Sequence, residues 1–394
     1  MTTDLSKIKS EHFCIAPWVN LHINQRGMLK PCCGGRSEIL NFGTLQDDDW
    51  SYINGTNKSL HNLKQTLLSG EQPEYCKGCF EKGWYDEFHS DETIIENIND
   101  FVLKSMDIRW GTTCQLSCTY CDQGNSTTWA NLIHKKNKTV FVQPARAYRD
   151  KVSPLLEFIE KNSKQIKRIS LLGGEPLLLK ETIYLLEILS PDTIIEIITN
   201  LNVNLETNEI YQQLIQRKKV NWYVSMENVG QRFEFVRRGA EWQQQVHNLK
   251  KLESDVSGTD SVVSLQSQYC VYNALNLEEL YEFVDSFETL SIVWNLSFNY
   301  PHELDFFKFP NSFKELAITQ VDKCIDRYKS NMTNRAIGLT NSLNNIRNKL
   351  EKSLDNCDPI SVEKCIKFHK TQENSYFENR FDFLTLWPQF YVQN

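Results

Sequence analysis

Three closely spaced cysteines are the residues of this sequence best suited to chemistry. Cys114, Cys118 and Cys121 follow a C-x3-C-x2-C pattern. On a helix these thiols would spread over roughly 10 Å, too far for one compact metal centre. The preceding Gly-Thr-Thr favours a wrapped loop, in which three thiolates can converge on one iron–sulfur cluster. A four-iron cluster normally takes four cysteines, so three would leave one iron open to a substrate or cofactor.

A second group of cysteines lies in the first hundred residues. Residues 17–24 alternate like a strand, a turn near Gly27 follows, and the chain then returns. This pattern predicts a hairpin that brings Cys14 close to Cys32. Cys33 is the neighbour of Cys32, and adjacent side chains of an extended segment point to opposite sides. One of the two thiols therefore faces away from the group.

The cysteine loop resembles the signature loop of the radical S-adenosylmethionine (SAM) superfamily, with the aromatic Tyr120 before the third cysteine. The resemblance implies that the open iron chelates the amino and carboxylate groups of SAM. It also implies that one electron, from a donor such as flavodoxin or ferredoxin, cleaves SAM to methionine and a 5′-deoxyadenosyl radical. The alternative is a zinc site completed by a fourth ligand such as Asp122 or His134.

The earlier cysteines resemble the auxiliary-cluster module called the twitch domain, the short form of the SPASM domain. Relatives usually carry it after the radical SAM core, whereas here it comes first. The resemblance selects Cys32 rather than Cys33, from its spacing to Gly27. It implies a second four-iron cluster, and a zinc site with the same thiolates is the alternative. The implied ligands are Cys14, Cys32, Cys76 and Cys79.

Strand-like and helix-like runs alternate between about residues 101 and 300, which predicts an α/β fold with parallel strands. The resemblance narrows this to a partial (β/α)6 barrel, in which chemistry collects at the C-terminal ends of the strands. The predicted strands are 106–110, 168–172, 193–199, 220–226, 261–271 and 290–298. The predicted helices between them are 146–161, 177–189, 208–218, 241–254 and 277–287.

The second strand ends in a Gly-Gly-Glu-Pro motif, residues 173–176. Two glycines allow a ligand to approach the backbone closely, and proline suits the first turn of a helix. The motif looks like the superfamily's GGEP motif. That resemblance implies that the strand-end backbone at Gly173, Gly174 and Pro176, together with Glu175, engages the ammonium of SAM. Thr199 and Asn200 end the third strand, and we expect both to bind the cofactor.

The fourth strand ends in Ser225 and Glu227, which resemble a serine–acid pair that reaches the SAM ribose or carboxylate. Related enzymes more often have aspartate at the second position. Downstream, Arg237 and Arg238 lie on a turn that we expect to be exposed. The resemblance implies that one of them, Arg237 in preference to Arg238, pairs with the methionine carboxylate, since a guanidinium binds carboxylate in a bidentate fork. The alternative is that both arginines are solvated.

The fifth strand alternates, so Gln266, Gln268 and Cys270 should share a face. If that face lines the barrel, Gln268 could contact SAM or substrate, and Cys270 could donate a hydrogen atom to a substrate radical. The alternative for Cys270 is a buried, unreactive thiol. On the sixth strand the polar set that could line a substrate cavity is Asn295, Ser297 and Asn299.

Composition limits the possible partners and location. The formal net charge of −7 gives no global field that would attract nucleic acid or anionic lipid. No apolar run is long enough to cross a bilayer and no signal core opens the sequence, so we expect a cytoplasmic protein. In a reducing compartment the twelve cysteines are expected to be metal ligands and free thiols.

These features predict a radical SAM enzyme, an oxidoreductase in the broad sense, that abstracts a hydrogen atom from a substrate. We expect an auxiliary cluster domain over 1–100, a radical SAM core over 101–300 and a helical extension over 301–394. Relatives with such modules imply a peptide or protein side chain as substrate, with a carbohydrate or nucleotide precursor as the alternative. From a different class, the competing hypothesis is a non-catalytic zinc-binding interaction protein.

Overall fold

The computed structural model describes residues 3–35, 40–80, 93–137, 152–297, 300–331, 333–376 and 382–391. Its strands are β1 Thr3–Asp4, β2 Asn20–Ile23, β3 Leu29–Lys30, β4 Ile94–Ile95, β5 Ser105–Arg109, β6 Arg168–Leu172, β7 Ile194–Thr199, β8 Val220–Ser225, β9 Val262–Gln268 and β10 Ser291–Asn295. Its helices are α1 Ala16–Val19, α2 Lys58–Ser69, α3 Lys77–Phe80, α4 Thr127–Asn137, α5 Val152–Asn162, α6 Glu181–Ile188, α7 Glu209–Leu214, α8 Gly230–Val236, α9 Trp242–Asp255, α10 Leu277–Asp285, α11 Asn311–Tyr328, α12 Asn334–Lys352, α13 Ser361–Tyr376 and α14 Phe383–Leu386.

The chain forms two compact units, each built from separate segments. The first unit comprises Met1–Thr113, Gln143–Ile197 and Gln216–Lys219. The second comprises Cys114–Val142, Ile198–Ile215 and Val220–Asn394. Three predicted features lie outside the described residues: positions 146–151 of the first barrel helix, and Phe298 and Asn299 of the sixth strand.

Parallel strands form the main sheet of the first unit. They are hydrogen-bonded in the order β7–β6–β5–β2, and β3 continues the sheet as an antiparallel neighbour of β2. One face of this sheet is apolar and completely buried, as at Ile108, Leu171 and Ile197, which are at most 1% exposed. Such a face requires covering by helices, and α5 and α6 connect the parallel strands.

The predicted hairpin is present, but its first strand is shorter than the prediction. His22 pairs with Lys30 across the hairpin. The segment Ala16–Val19, predicted as strand from Pro17 onward, is a helical turn instead. Pro17 sits in the first turn, where its missing N–H removes no helical hydrogen bond. All four residues of the turn are buried, so burial does not alternate as it would along a half-buried strand.

The second unit contains three further parallel strands in the order β10–β9–β8. Strand β9 ends at Gln268, three residues before the predicted end, because the chain turns there: the Asn273 N–H bonds the Cys270 carbonyl. After β10 the chain forms the helices α11, α12 and α13, of which α11 and α12 pack together.

The predicted α/β class with parallel strands is confirmed by this order of elements. Among the described residues, no helix combines the length and the apolar character that crossing a membrane would require.

Candidate functional site

The three cysteines of the predicted cluster loop follow β5 in a segment without helix or strand. Cys118 is buried, and Cys114 and Cys121 are half-buried. Burial raises the pKa of the Cys121 thiol, and the charges of the other two thiolates raise it further. Cysteine thiolates are the usual ligands of iron–sulfur clusters. The donor set therefore fits an iron–sulfur cluster.

Four consecutive side chains at the start of α4 hold the backbone of this loop. They satisfy three of its carbonyl groups, so the loop keeps a fixed path without regular secondary structure. The bonds run from Thr127 and Thr128 to the Cys114 carbonyl at 3.2 and 2.8 Å, from Ser126 to the Leu116 carbonyl at 2.6 Å, and from the Trp129 indole to the Cys118 carbonyl at 2.8 Å. Sequence reasoning missed this Ser-Thr-Thr-Trp segment, although its position just after the loop was a usable signal.

The backbone after α8 pairs with the same loop. The Thr119 N–H donates to the Val236 carbonyl and the Ser117 N–H donates to the Arg238 carbonyl, both at 2.9 Å. Gly239 follows with a φ of +95°, and a Cβ there would come within 3.3 Å of the Gln115 carbonyl oxygen. The loop thus requires glycine at this position, both for the backbone conformation and for the close approach.

A buried ion pair lies beside the middle cysteine. Arg237 donates to both carboxylate oxygens of Glu227, at 2.9 and 2.8 Å, and its Nη1 lies 3.8 Å from the Cys118 sulfur. Its guanidinium also stands 5.3 Å from the centre of the Tyr120 ring. Burial alone would lower the pKa of Arg237, but the Glu227 carboxylate holds it well above its ordinary value. The arginine therefore stays charged.

The expectation that the arginine turn is exposed is wrong for Arg237, and the expected SAM contacts of Glu227 and Arg237 are constrained by the ion pair. The arginine turn is not exposed, since Arg237 is 7% exposed. Glu227 and Arg237, each predicted to contact SAM, are bound to each other. Their SAM contacts stay predictions, and any such contact would have to share the guanidinium or the carboxylate with this ion pair.

The end of β7 reaches the first cysteine. The Asn200 side-chain amide lies 3.8 Å from the Cys114 sulfur, and its oxygen accepts a hydrogen bond from Gln115 at 3.0 Å. Thr199 accepts from the Leu201 N–H at 2.9 Å and so shapes the turn after the strand. Both residues predicted at this strand end thus support the loop, Asn200 directly and Thr199 through the turn.

In the first unit, the Gly-Gly-Glu-Pro motif makes a tight turn after β6. Gly174 has a φ of +50°, and a Cβ there would stand 2.3 Å from the Thr113 carbonyl oxygen. That same carbonyl accepts the Glu175 N–H at 2.7 Å. The Glu175 carboxylate is fully buried and accepts the Leu177 N–H at 3.1 Å, which caps the helical turn that begins at Pro176. The predicted contact of Glu175 with SAM stays a prediction.

The residues predicted on β8 and β9 are placed separately. Ser225 ends β8 and is half-buried, opposite Gln266. Gln268 ends β9 and donates to the Asn295 carbonyl at 2.9 Å, which ties it to the neighbouring strand. Cys270 lies beyond the strand and is fully buried, and burial raises the pKa of its thiol well above the ordinary value. Its proposed hydrogen-atom transfer stays a prediction.

The four predicted auxiliary ligands occupy one neighbourhood of the first unit. Burial raises the pKa of Cys14 to about 12, and the charges of Cys32 and Cys79 add to the effect. The pKa of Cys76 is raised by burial and by the other three thiolates. By contrast, the exposed Cys33 acts electrostatically on Arg109. Within the described ranges, no three His, Cys, Asp or Glu side chains already stand at metal-binding distances.

A polar row that sequence reasoning missed crosses the sheet of the first unit. His22, Asp107, Ser170 and Glu196 stand opposite one another in register on four adjacent strands. The Ser170 hydroxyl donates to Glu196 at 2.7 Å, whereas the Nδ1 of His22 stands 3.6 Å from Asp107 without a hydrogen-bond partner. Burial would raise the pKa of Asp107, but His22 and Arg168 together lower it. Only the strand register, which the sequence does not give, aligns these residues.

Comparison with known proteins identifies one domain. Residues 108–285 match the family model of the radical SAM superfamily. No curated protein matches the chain.

Several solved structures share a limited likeness. The structure of anSMEcpe with bound AdoMet is 13% identical, with a TM-score of 0.41, and the match covers 57% of this chain and 61% of that one. Streptococcus suis SuiB bound to its precursor peptide SuiA is 14% identical, with a TM-score of 0.38, over 84% of this chain and 71% of that one. The chain thus spans less than two thirds of the length of anSMEcpe. Residues 108–285 match the radical SAM family model and lie within a mixed α/β fold of parallel strands.

Proposed function

We propose that this protein is a radical SAM enzyme that abstracts a hydrogen atom from a peptide or protein side chain. The observation that carries the proposal is the cysteine loop. Its three thiols lie inside the matched domain, and separate elements hold its carbonyls and N–H groups in place. A loop so extensively supported, with three thiolates and no regular structure, suits a cluster that leaves one iron for SAM.

The side chains of the second unit would hold the cofactors as follows. Cys114, Cys118 and Cys121 would ligate a [4Fe-4S] cluster, and Arg237 would place its positive charge against the ligand sulfur of Cys118. When bound, the cluster and SAM supply a 5′-deoxyadenosyl radical. Asn200 offers a further N–H donor near Cys114. Hydrogen bonds to ligand sulfurs are one means by which a protein sets a cluster's reduction potential.

We further propose an auxiliary [4Fe-4S] cluster on Cys14, Cys32, Cys76 and Cys79, within the module predicted over residues 1–100. The mutual electrostatic effect of these thiols supports the assignment. Four cysteine ligands would leave no open iron, which favours an electron-transfer role. Flavodoxin or ferredoxin would serve as the electron donor to the enzyme.

A peptide or protein side chain is the first substrate class, because relatives with such auxiliary modules often act on ribosomal peptides. A carbohydrate or nucleotide precursor is the second substrate class. Cys33 is exposed and Cys32 is half-buried, a difference that supports the four-ligand assignment, but a zinc site would use the same thiols. Metal identity therefore separates the enzyme from a zinc-binding interaction protein.

Anaerobic reconstitution with iron and sulfide tests the proposal. We expect about eight irons per chain, from two four-iron clusters, and absorption that dithionite bleaches. Cys76→Ala should lose about half of the iron, and Cys118→Ala should lose the other half. Cys357→Ala is the matched control, because this thiol is exposed and outside both sets. Tightly held zinc, with no iron uptake by the wild-type chain, would reject the enzyme.

A further inference from the structure

We propose that the C-terminal segment of the chain positions the cysteine loop, and that Gln372 on α13 is the positioning residue. The inference rests on the proposed function, because it gives Gln372 a role toward the cluster that the loop would hold. Gln372 lies beyond the matched domain, which ends at residue 285. No sequence motif marks the chain after residue 301, so the assignment depends on the contacts alone.

Gln372 makes two hydrogen bonds with one side-chain amide. Its Nε2 donates to the Thr119 carbonyl oxygen at 3.0 Å, and its Oε1 accepts from Arg238 at 2.9 Å. Thr119 is fully buried and stands between Cys118 and Cys121. The amide therefore satisfies a buried carbonyl in the short segment that separates two predicted cluster ligands.

The position of Gln372 completes the support of the loop. Side chains of residues 126–129 satisfy the carbonyls of Cys114, Leu116 and Cys118, from the first residues of α4 and from Ser126 immediately before it. The Thr119 carbonyl instead receives its hydrogen bond from Gln372 on α13, 253 positions further along the chain. Arg238, on the other side of the amide, belongs to the backbone segment that pairs with the loop.

The helix that carries Gln372 is itself firmly anchored in the second unit. One turn earlier, His369 accepts a hydrogen bond from the Tyr272 hydroxyl at 2.8 Å, since its other ring nitrogen faces the Cys365 carbonyl at 2.8 Å. The His369 ring stacks on Phe383, with 3.8 Å between centroids. These contacts fix α13 in place, so Gln372 can present its amide at a defined position.

A simpler role for Gln372 would be to hold α13 in place through its hydrogen bond with Arg238. The two roles separate by substitution. Gln372→Glu keeps an acceptor for Arg238 and adds an opposite charge, but it has no N–H for the Thr119 carbonyl. Gln372→Leu removes both bonds at similar volume. Gln243→Leu is the control, because Gln243 is an exposed glutamine on α9.

The test uses the full chain after reconstitution, with SAM and an iron chelator as probes. After reduction with dithionite, the electron paramagnetic resonance (EPR) change on adding SAM isolates the loop cluster, since the auxiliary cluster has no open iron. We expect Gln372→Glu and Gln372→Leu to release the SAM-responsive iron about 5- to 100-fold faster than wild type, because a buried carbonyl loses its partner. We also expect an altered SAM-induced signal in both. Gln372→Glu should melt closer to wild type than Gln372→Leu, because it keeps an acceptor for Arg238, and Gln243→Leu should match wild type throughout.

The result that overturns the inference is a Gln372→Glu protein with wild-type iron release and a wild-type SAM-induced signal, whatever Gln372→Leu does. Such a protein would show that Gln372 only docks α13. If the wild-type chain takes up no SAM-responsive iron, the proposed function fails together with this inference. If the wild-type chain takes up SAM-responsive iron and both Gln372 variants release it at the wild-type rate with a wild-type signal, the inference alone fails.

Discussion

At the scale of the residue, a buried ion pair between Glu227 and Arg237 lies beside Cys118 of the candidate site. Counted without their backbone atoms, the side chains of Glu227 and Arg237 are 2% and 9% exposed. The sequence predicted that both residues matter, from their positions after the fourth strand. It could not predict that they bind each other, because a pairing across a turn depends on the path of the backbone rather than on residue type.

The ion pair leads to a first prediction. Arg237→Met should lower the free energy of unfolding by about 3–5 kcal/mol, because Glu227 would remain buried without a counter-charge. Adding Glu227→Leu should recover most of this loss, since no buried charge is then left unpaired. Urea unfolding of the two variants and wild type measures both values. An Arg237→Met variant as stable as wild type would mean that water solvates the Glu227 and Arg237 charges in the folded protein.

A second prediction concerns His369, which is buried with a pKa lowered to about 3 by desolvation. The unfolded chain protonates this histidine near its ordinary pKa of about 6.5, while the folded chain does not. Stability contributed by the neutral ring is therefore present above that pH and is lost as the pH falls toward the folded pKa. The free energy of unfolding should fall more steeply between pH 6.5 and about 4.5 in wild type than in His369→Gln.

Urea unfolding at each pH compares the two proteins. The difference in slope should correspond to about one proton, or about 1.4 kcal/mol per pH unit. Equal slopes would show that His369 titrates normally in the folded protein.

At the scale of the element, strands and helices were largely predictable and their junctions were not. Strand β6 matches its predicted limits of 168 and 172, because alternating or continuous apolar runs are local signals. The prediction of a strand from Pro17 onward was wrong for Pro17–Val19, because Pro17 suits the first turn of a helix as well as the boundary of a strand. The supports of the cysteine loop were also missed, since hydrogen bonds to loop carbonyls leave no periodic signal.

A third prediction tests the turn after β6. Gly174→Ala adds both backbone strain at a φ of +50° and a Cβ that would stand 2.3 Å from the Thr113 oxygen. Gly258→Ala is the control, because Gly258 has a φ of +78° with no atom within 4 Å. We expect Gly174→Ala to be less stable than the control by about 1–3 kcal/mol, the usual range for overpacking. Equal thermal stabilities of Gly174→Ala and Gly258→Ala would show that the turn after β6 accommodates the added Cβ without loss of stability.

At the scale of the whole molecule, the two cysteine sets belong to different compact units. The auxiliary set lies in the first unit and the loop lies in the second. The sequence predicted two separate sets from their spacing and distance along the chain. It did not predict the composition of the units, because each is assembled from segments far apart in sequence, such as residues 198–215 within the second unit. Those associations depend on packing between distant segments.

The central claim is that the loop thiols support reductive cleavage of SAM. The most direct measurement is 5′-deoxyadenosine formed from SAM by the reconstituted full chain with dithionite. We predict formation by wild type and by Cys357→Ala, and none by Cys118→Ala. Deoxyadenosine formed by Cys118→Ala at the wild-type rate, or none formed by a wild-type chain carrying its clusters, would contradict the account.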